Sequence, residues 1–220
     1  MKTFVEYLDE EVKPKASSKT AHYFDMDETL FHHDNKHLRV HVLDELGNRV
    51  RTLTNKEYNS HQLPDGHSYD FNEFRSSHTF SKSAKPITKM IAKLKHLHRG
   101  KEHVEILTAR SDLDDKDKFM HHLRKYGIDP EEVHVRRAGN LEGLPPHKAK
   151  AAIVKDLISK HGYKQVHLYD DHPDNLKEFL KIQKDHPQVA FHAHHVQHNP
   201  ETGEVRVHSE IKKAKPETKK

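Results

Sequence analysis

The sequence predicts a three-layer α/β fold: a mainly parallel sheet covered on both faces, with a β-rich insertion after the first strand. Three observations carry this. A short apolar run, "AHYF" at 21–24, reads as a first buried strand ending at Asp25. From residue 87 onward, helical and extended patterns alternate, and strands separated by helices imply crossover connections and parallel pairing. Between these regions "LRVHVLDELGNRVRTLT" alternates on both sides of a Leu-Gly-Asn turn and reads as a β-hairpin.

The elements follow in order. Residues 3–12 place Phe4, Tyr7, Leu8 and Val12 on one side of a short amphipathic helix, followed by the polar linker "KPKASSKT". After the hairpin, "QLPDGHSYDF" reads as a turn and "NEFRSSHTFSKSAKP" as loop. Residues 87–98 carry Ile87, Met90, Ile91, Leu94 and Leu97 at helical spacing, and "VEIL" (104–107) is a strand. "DKDKFMHHLRKYG" is a helix stopped by Gly127, and "EVHVRR" a strand. "HKAKAAIVKDLISKHG" is a helix stopped by Gly162, "QVHLY" a strand, "PDNLKEFLKIQKD" a helix and "QVAFHAHHV" a strand. The turn "NPETGE" returns through "VRVH" as an edge hairpin. The chain thus divides into an arm and linker (1–20), an α/β core (21–31 and 85–197), an insertion (32–84), and a terminal hairpin with a basic tail (198–220).

The 220 residues suit one compact domain with an insertion. Hydrophobic and charged residues each make up 33%, so the core is lean and the surface highly charged. The absence of cysteine excludes disulfides, thiolate metal sites and cysteine nucleophiles. No apolar stretch approaches a membrane span, and the amino terminus lacks the apolar core of a secretory signal. A soluble, non-exported protein without a membrane partner is expected. The net charge of +4 is partly in the tail "IKKAKPETKK", which reads as a solvated end. The 24 histidines are scattered, and "HAHH" at 192–195 alternates faces, which argues against a zinc site there.

Chemistry collects at strand ends, where parallel sheets bind ligands. The first strand ends in Asp25-Met26-Asp27-Glu28-Thr29, "VEIL" in Thr108 with Arg110 two residues on, and "QVHLY" in Asp170-Asp171. Carboxylates so gathered repel one another unless a cation lies among them, and an all-oxygen site suits Mg²⁺. A phosphate at such a site needs a cationic side chain as well. Lys150 lies one turn before Ile153 and Val154 on the buried face of its helix, whereas Lys148 falls with Ala151, Ala152 and Lys155. Lys150 is therefore preferred and Lys148 is the alternative.

"DMDET", "LTAR", a lysine on a later helix and "YDDHPDN" resemble, in order, the four motifs of the haloacid dehalogenase (HAD) superfamily. The resemblance spans roughly residues 20–195. The spelling is similar to acid phosphatases, nucleotidases and the phosphatase domain of polynucleotide kinase-phosphatases, with His172 where several of those have Arg. It implies a Rossmann-like sheet and a cap at 32–84, with Tyr58, His61, Tyr69, Phe71 and Arg75 as candidate substrate contacts. It implies that Asp25 attacks phosphorus and that Asp27, with a raised pKa, acts as general acid and base. Thr108 and Lys150 would bind the transferring phosphoryl oxygens. Mg²⁺ would be held by Asp25, the carbonyl of Asp27 and Asp171, with Asp170 supporting. Thr29 would buttress the loop. Arg110 would meet either substrate phosphate or a carboxylate, while Arg136 and Arg137 read as solvated loop.

The expected activity is Mg²⁺-dependent hydrolysis of a phosphomonoester, with a nucleotide or nucleic-acid terminal phosphate favoured. A phosphotransferase on the same scaffold has the same motifs, and a catalytically silent, nucleic-acid- or capsid-associated binding module is the alternative. "MKTFVEYLDEE" resembles the leader of capsid-targeted proteins in T-even-like bacteriophages, removed after a glutamate, here Glu10. That resemblance implies a location in the host cytoplasm or in the virion.

Overall fold

The structure is a computed structural model that describes residues 18–34, 36–58, 60–141 and 143–215. The amphipathic arm, the Glu10 cleavage position and the last five residues of the tail lie outside the described residues.

A six-stranded sheet forms the centre, from β1 (Thr20–Phe24), β7 (His103–Thr108), β8 (His134–Arg137), β9 (Gln165–Asp170), β10 (Ala190–His198) and β11 (Val205–Lys212). Its order is β11-β10-β9-β1-β7-β8. All pairs are parallel except β10 with β11, where the returning edge hairpin lies.

Four helices flank the sheet: α4 (Thr88–Arg99), α5 (Lys116–Lys125), α6 (Pro146–His161) and α7 (Pro173–Lys181). The alternation of strand side chains divides the core. Ala21, Tyr23, Leu168 and Phe191 pack with Ile153, Val154, Leu157 and Phe179 of α6 and α7. Phe24, Val104, Ile106 and Val135 pack with Met90, Ile91 and Leu94 of α4 and with Phe119 and Leu123 of α5. The helix ends follow their sequence signals. Asp115 accepts the Lys118 N–H at 2.9 Å to cap α5, and Gly162 ends α6 in the left-handed region at φ 63°.

Residues between β1 and α4 leave the main sheet. β2 (Phe31–His33) pairs with β6 (Ala84–Pro86) and brings the two ends of this excursion together. Within it β3 (Arg39–Leu43) pairs antiparallel with β4 (Arg49–Thr54), as the hairpin pattern predicts. Two expectations are corrected here. "HSYDF" is not all turn: β5 (Ser68–Asp70) adds a third strand on the other edge of β3. "NEFRSSHTFSKSAKP" is not loop: it holds α2 (Asn72–Arg75), α3 (Ser77–Ser83) and β6, besides the one-turn α1 (Asn55–Tyr58) earlier. Elements of three to seven residues are too short to display a period, and here packing decides: Phe80 of α3 is fully buried against Phe31 and Phe119.

From β1 the chain travels outward to β7 and β8, then returns to the other side of β1 as β9 and β10. The order of travel therefore reverses between β1 and β9. That reversal opens a crevice at the carboxyl ends of these two strands. Among the described residues, no helix is long and apolar enough to cross a membrane.

Candidate active site

The loop after β1 is fixed by its own backbone and by its apolar residues. Asp25 N–H donates to Tyr169 O at 2.8 Å, tying the strand end to β9, and Leu30 and Phe31 N–H both donate to Met26 O. Met26, Leu30 and Phe31 are fully buried and anchor the turn. Asp25 and Asp27, on either side of Met26, line a cavity of about 580 Å³ that is also lined by Arg110, Lys150, Asp171 and His172.

Lys150, on the second turn of α6, is 2% exposed. Its Nζ donates to Asp25 Oδ1 at 2.7 Å and to Asp170 Oδ2 at 2.8 Å. Asp170 is fully buried and further engaged by Asn175 Nδ2, at 2.8 and 3.0 Å, and by the His172 N–H at 2.9 Å. Both its oxygens are thus occupied by protein donors, whereas Asp171 lines the cavity. Asp25, Asp170 and Asp171 bring carboxylate oxygens within 4.8 Å of one another, close enough to hold a metal ion together. Lys148 is exposed and does not line the cavity, whereas Lys150 does.

Asp27 sits in a different field. Arg110 donates from Nε at 2.9 Å to Oδ2 and from an Nη at 2.7 Å to Oδ1, and its other Nη donates to Phe74 O at 2.6 Å. His33 Nε2 lies 2.7 Å from Asp27 Oδ1, and its Nδ1 lies 2.8 Å from Ser83 Oγ. The Arg110 guanidinium also lies 5.0 Å from the ring centroids of Phe74 and Phe80. Arg110 therefore meets a carboxylate, and that carboxylate is Asp27.

The electrostatics reverse one expectation. Burial resists the ionisation of Asp27, but the charge of Arg110 and the His33 and Arg110 hydrogen bonds outweigh it. The carboxyl is held well below the usual carboxylate range. The carboxyl with the raised pKa is instead Asp25. Burial pushes it up to about 7; Lys150 opposes this, and the charges of Asp170 and Asp27 add to it. Asp171 is raised as well, by burial and then by Asp170 and Asp25. Lys150 is desolvated, yet Asp170 and Asp25 raise its pKa.

The four aspartates face two permanently cationic side chains, Lys150 and Arg110, so negative charge exceeds positive when all are ionised. The excess falls on Asp25 and Asp171, the two whose pKa is raised. A divalent cation would supply that missing charge, and the oxygen-only donor set fits a hard one.

No family model matches the chain, nor does any curated protein or solved structure.

The remaining expected residues divide. Thr108 is fully buried and does not line the cavity; its hydroxyl accepts the Arg110 N–H at 3.1 Å. It shapes the "LTAR" turn, while the neighbouring Ser111 lines the cavity. Thr29 is fully buried in the loop core. Arg136 is not in a solvated loop: it is buried on β8 and binds Glu105 through Nε at 2.9 Å and an Nη at 3.0 Å. Arg137 is largely buried too, and pairs with Asp112 at 3.1 Å. His172 starts α7, with Nδ1 accepting the Asp174 N–H, and orients Asp170 through its own backbone.

From the excursion, Tyr58, Phe71 and Arg75 line the cavity, as does Phe74. His61 and Tyr69 do not line it and bind each other at 2.9 Å instead. Leu144, Pro145, Pro146 and His147 line the cavity as well. His33, Phe74, Asn175 and Ser111 escape sequence reasoning. Of these only Asn175 had a signal, since it belongs to "YDDHPDN".

Proposed function

We propose that this chain is a Mg²⁺-dependent phosphohydrolase of the HAD type, acting on a phosphomonoester through an aspartyl-phosphate on Asp25. On this reading the sheet is Rossmann-like and the excursion at 32–84 is its cap. One observation carries the proposal: Asp25 lies on the cavity wall, bound to Lys150, with its carboxylate within 4.8 Å of those of Asp170 and Asp171, close enough to share one ion.

The residues take these parts. Asp25, at the end of β1, presents a carboxylate oxygen to phosphorus. Lys150 stabilises the equatorial oxygens of the transferring group, where charge accumulates. Asp25 and Asp171 would hold the ion, with the Asp27 carbonyl as a third ligand, and Asp170 fixes Lys150 from behind. When bound, the ion neutralises phosphoryl charge and keeps Asp25 ionised. As found, the Arg110 pair makes Asp27 too weak a base to take a proton from water. Its acid role requires Arg110 to exchange the Asp27 carboxylate for a substrate oxygen, because a carboxyl gripped by a guanidinium carries no proton.

The cavity walls support a substrate with a planar apolar group beyond the phosphate. Tyr58, Phe71, Phe74, Leu144, Pro145 and Pro146 all line the cavity. A nucleobase fits such walls better than a sugar phosphate does. A nucleotide or a nucleic-acid terminal phosphate is the proposed class.

The bidentate Arg110–Asp27 pair also favours a second reading, a silent binding module whose acid–base group is neutralised internally. One assay separates the two. The enzyme releases phosphate from an aryl phosphate and from members of a nucleotide and oligonucleotide panel with Mg²⁺. EDTA stops it, and Asp25→Asn lowers kcat by about 10³-fold or more. Absence of turnover across the panel, with Mg²⁺ binding intact, would leave the silent module or a very narrow specificity instead.

A further inference from the structure

A second cluster of metal-ligating side chains lies outside the aspartate site. Glu28, His32 and His198 bring one ligand atom each within 4.8 Å of one another. Glu28 lies in the turn after β1 and His32 in β2, while His198 ends β10, so the fold assembles the set from distant positions. All three are half-buried, which allows both an ion and its desolvation.

The local geometry is already organised. Glu28 Oε2 lies 2.8 Å from His32 Nδ1, and Glu28 Oε1 accepts the His33 N–H at 3.2 Å. The carboxylate is thereby aimed at the histidines. Glu28 adopts φ 57°, a left-handed conformation that a non-glycine residue rarely takes without compensation. The His32 and His198 rings are 5.2 Å apart, and His198 Nδ1 is buried without a hydrogen-bond partner among the described residues.

We propose that Glu28, His32 and His198 form a second cation site, selective for a borderline divalent ion of the Zn²⁺ class. Two imidazoles and one carboxylate are the donor set that such ions prefer, whereas Mg²⁺ takes oxygen ligands. The ion replaces the proton that now joins His32 to Glu28. Bonds of about 2.1 Å to a tetrahedral ion set ligand atoms ~3.4 Å apart, so the Glu28–His32 pair opens from 2.8 Å and His198 joins it from within 4.8 Å. Three protein ligands leave a fourth position for water. Because Glu28 directly follows Asp27, the ion would clamp the loop carrying Asp25 and Asp27 to the end of β10. The inference stands without the phosphohydrolase reading, since its test reads binding and stability.

The test titrates metal-free protein with Zn²⁺, and with Co²⁺ as a spectroscopic probe, in an Asp171→Asn background that disables the aspartate site. A His192→Ala control covers the histidine-rich surface. One equivalent binds, Co²⁺ shows an intense d–d band of low coordination number, and Tm rises by about 5–10 °C at about a hundredfold excess of free Zn²⁺ over Kd. H32Q and H198Q each weaken binding by about tenfold or more and remove the Tm shift, while His192→Ala changes neither. Metal-free melting checks that the variants fold, and E28Q replaces any that does not. Unchanged affinity in both histidine variants, loss of binding in His192→Ala, or no saturable equivalent in the Asp171→Asn background would overturn the site.

Discussion

Lys150 Nζ lies 2.7 Å from Asp25 Oδ1, joining residues 125 positions apart in a contact that is almost wholly buried. The same ammonium holds Asp170 at 2.8 Å, so one cation fixes the ends of β1 and β9 together. A charge buried this deeply is tolerated only because its partners are charged and in contact.

Replacing Lys150 by Met leaves two buried carboxylates facing each other. The expected loss is about 3–5 kcal/mol in urea denaturation at pH 7 with EDTA present. The deficit should be smaller at pH 5. Asp25 already has its pKa raised to about 7, so protonation below that pH relieves the repulsion that Lys150 no longer offsets. An equal deficit at both pH values would show that the loss is packing alone.

Gly139→Ala should disable the site without touching a charged residue. A Cβ at position 139 would lie 2.4 Å from Ala109 O, 2.6 Å from Ser111 N and 2.7 Å from the Arg110 carbonyl carbon. All three are backbone atoms of the turn that aims Arg110 at Asp27, and Gly139 N–H donates to Arg110 O at 3.2 Å. The turn must move, at a cost of about 1–3 kcal/mol. Thermal melting and the phosphate-release assay read the two consequences together.

Glu105 is 1% exposed, bound by Arg136 and 3.1 Å from His103 Nε2. Burial would raise its pKa, but the hydrogen bonds and charges of His103 and Arg136 lower it to about 2. A depressed carboxyl contributes stability that is full above its unfolded value of about 4.3 and is lost as pH falls through the folded one. Glu105→Gln should cost about 3–5 kcal/mol at pH 7, because the buried Arg136 loses its carboxylate. The gap from wild type should narrow between pH 4.5 and pH 2 in denaturant titrations.

A second source of acid lability, with the same linkage sign, is the imidazole face of the sheet. His22 stacks on His167 with ring centroids 4.3 Å apart, and His167 stacks on His192 at the same distance. Burial, then the neighbouring charges of His194 and Lys93, lowers the His22 pKa to about 4. The unfolded chain takes up this proton first, near pH 6.5, so stability falls as pH drops from 6.5 towards 4 and levels below that. One such histidine is worth on the order of 3 kcal/mol across that window. His22→Leu should flatten the Tm–pH curve there by up to one proton, and an unchanged slope would remove His22 as a source of acid lability.

Much of the fold was legible because it repeats. Met90, Ile91 and Leu94 declare a helix face, "QVHLY" declares a strand, and the Gly127 and Gly162 stops mark helix ends. The same periodicity chose Lys150 over Lys148. Short elements carried no such signal. Ser68–Asp70 became a strand only because β3 offers it an edge, and Ser77–Ser83 a helix only because Phe80 fills a gap beneath Phe31. At the site, the strand ends of Asp25, Asp27, Asp170 and Asp171 were readable from local pattern.

The sequence by itself determined which carboxylates meet, because parallel strands put their carboxyl ends on one edge and the motif residues sit at those ends. Only the tertiary structure decided what state each carboxylate holds. Asp27 was expected to carry the raised pKa, yet Arg110 and His33 keep it ionised, and burial beside Asp170 raises Asp25 instead. The same holds for Glu28, which meets His198 only when β10 is in place. Position along a strand is a local property of the chain, whereas a pKa sums burial and every nearby charge, and those arrive only with the complete fold.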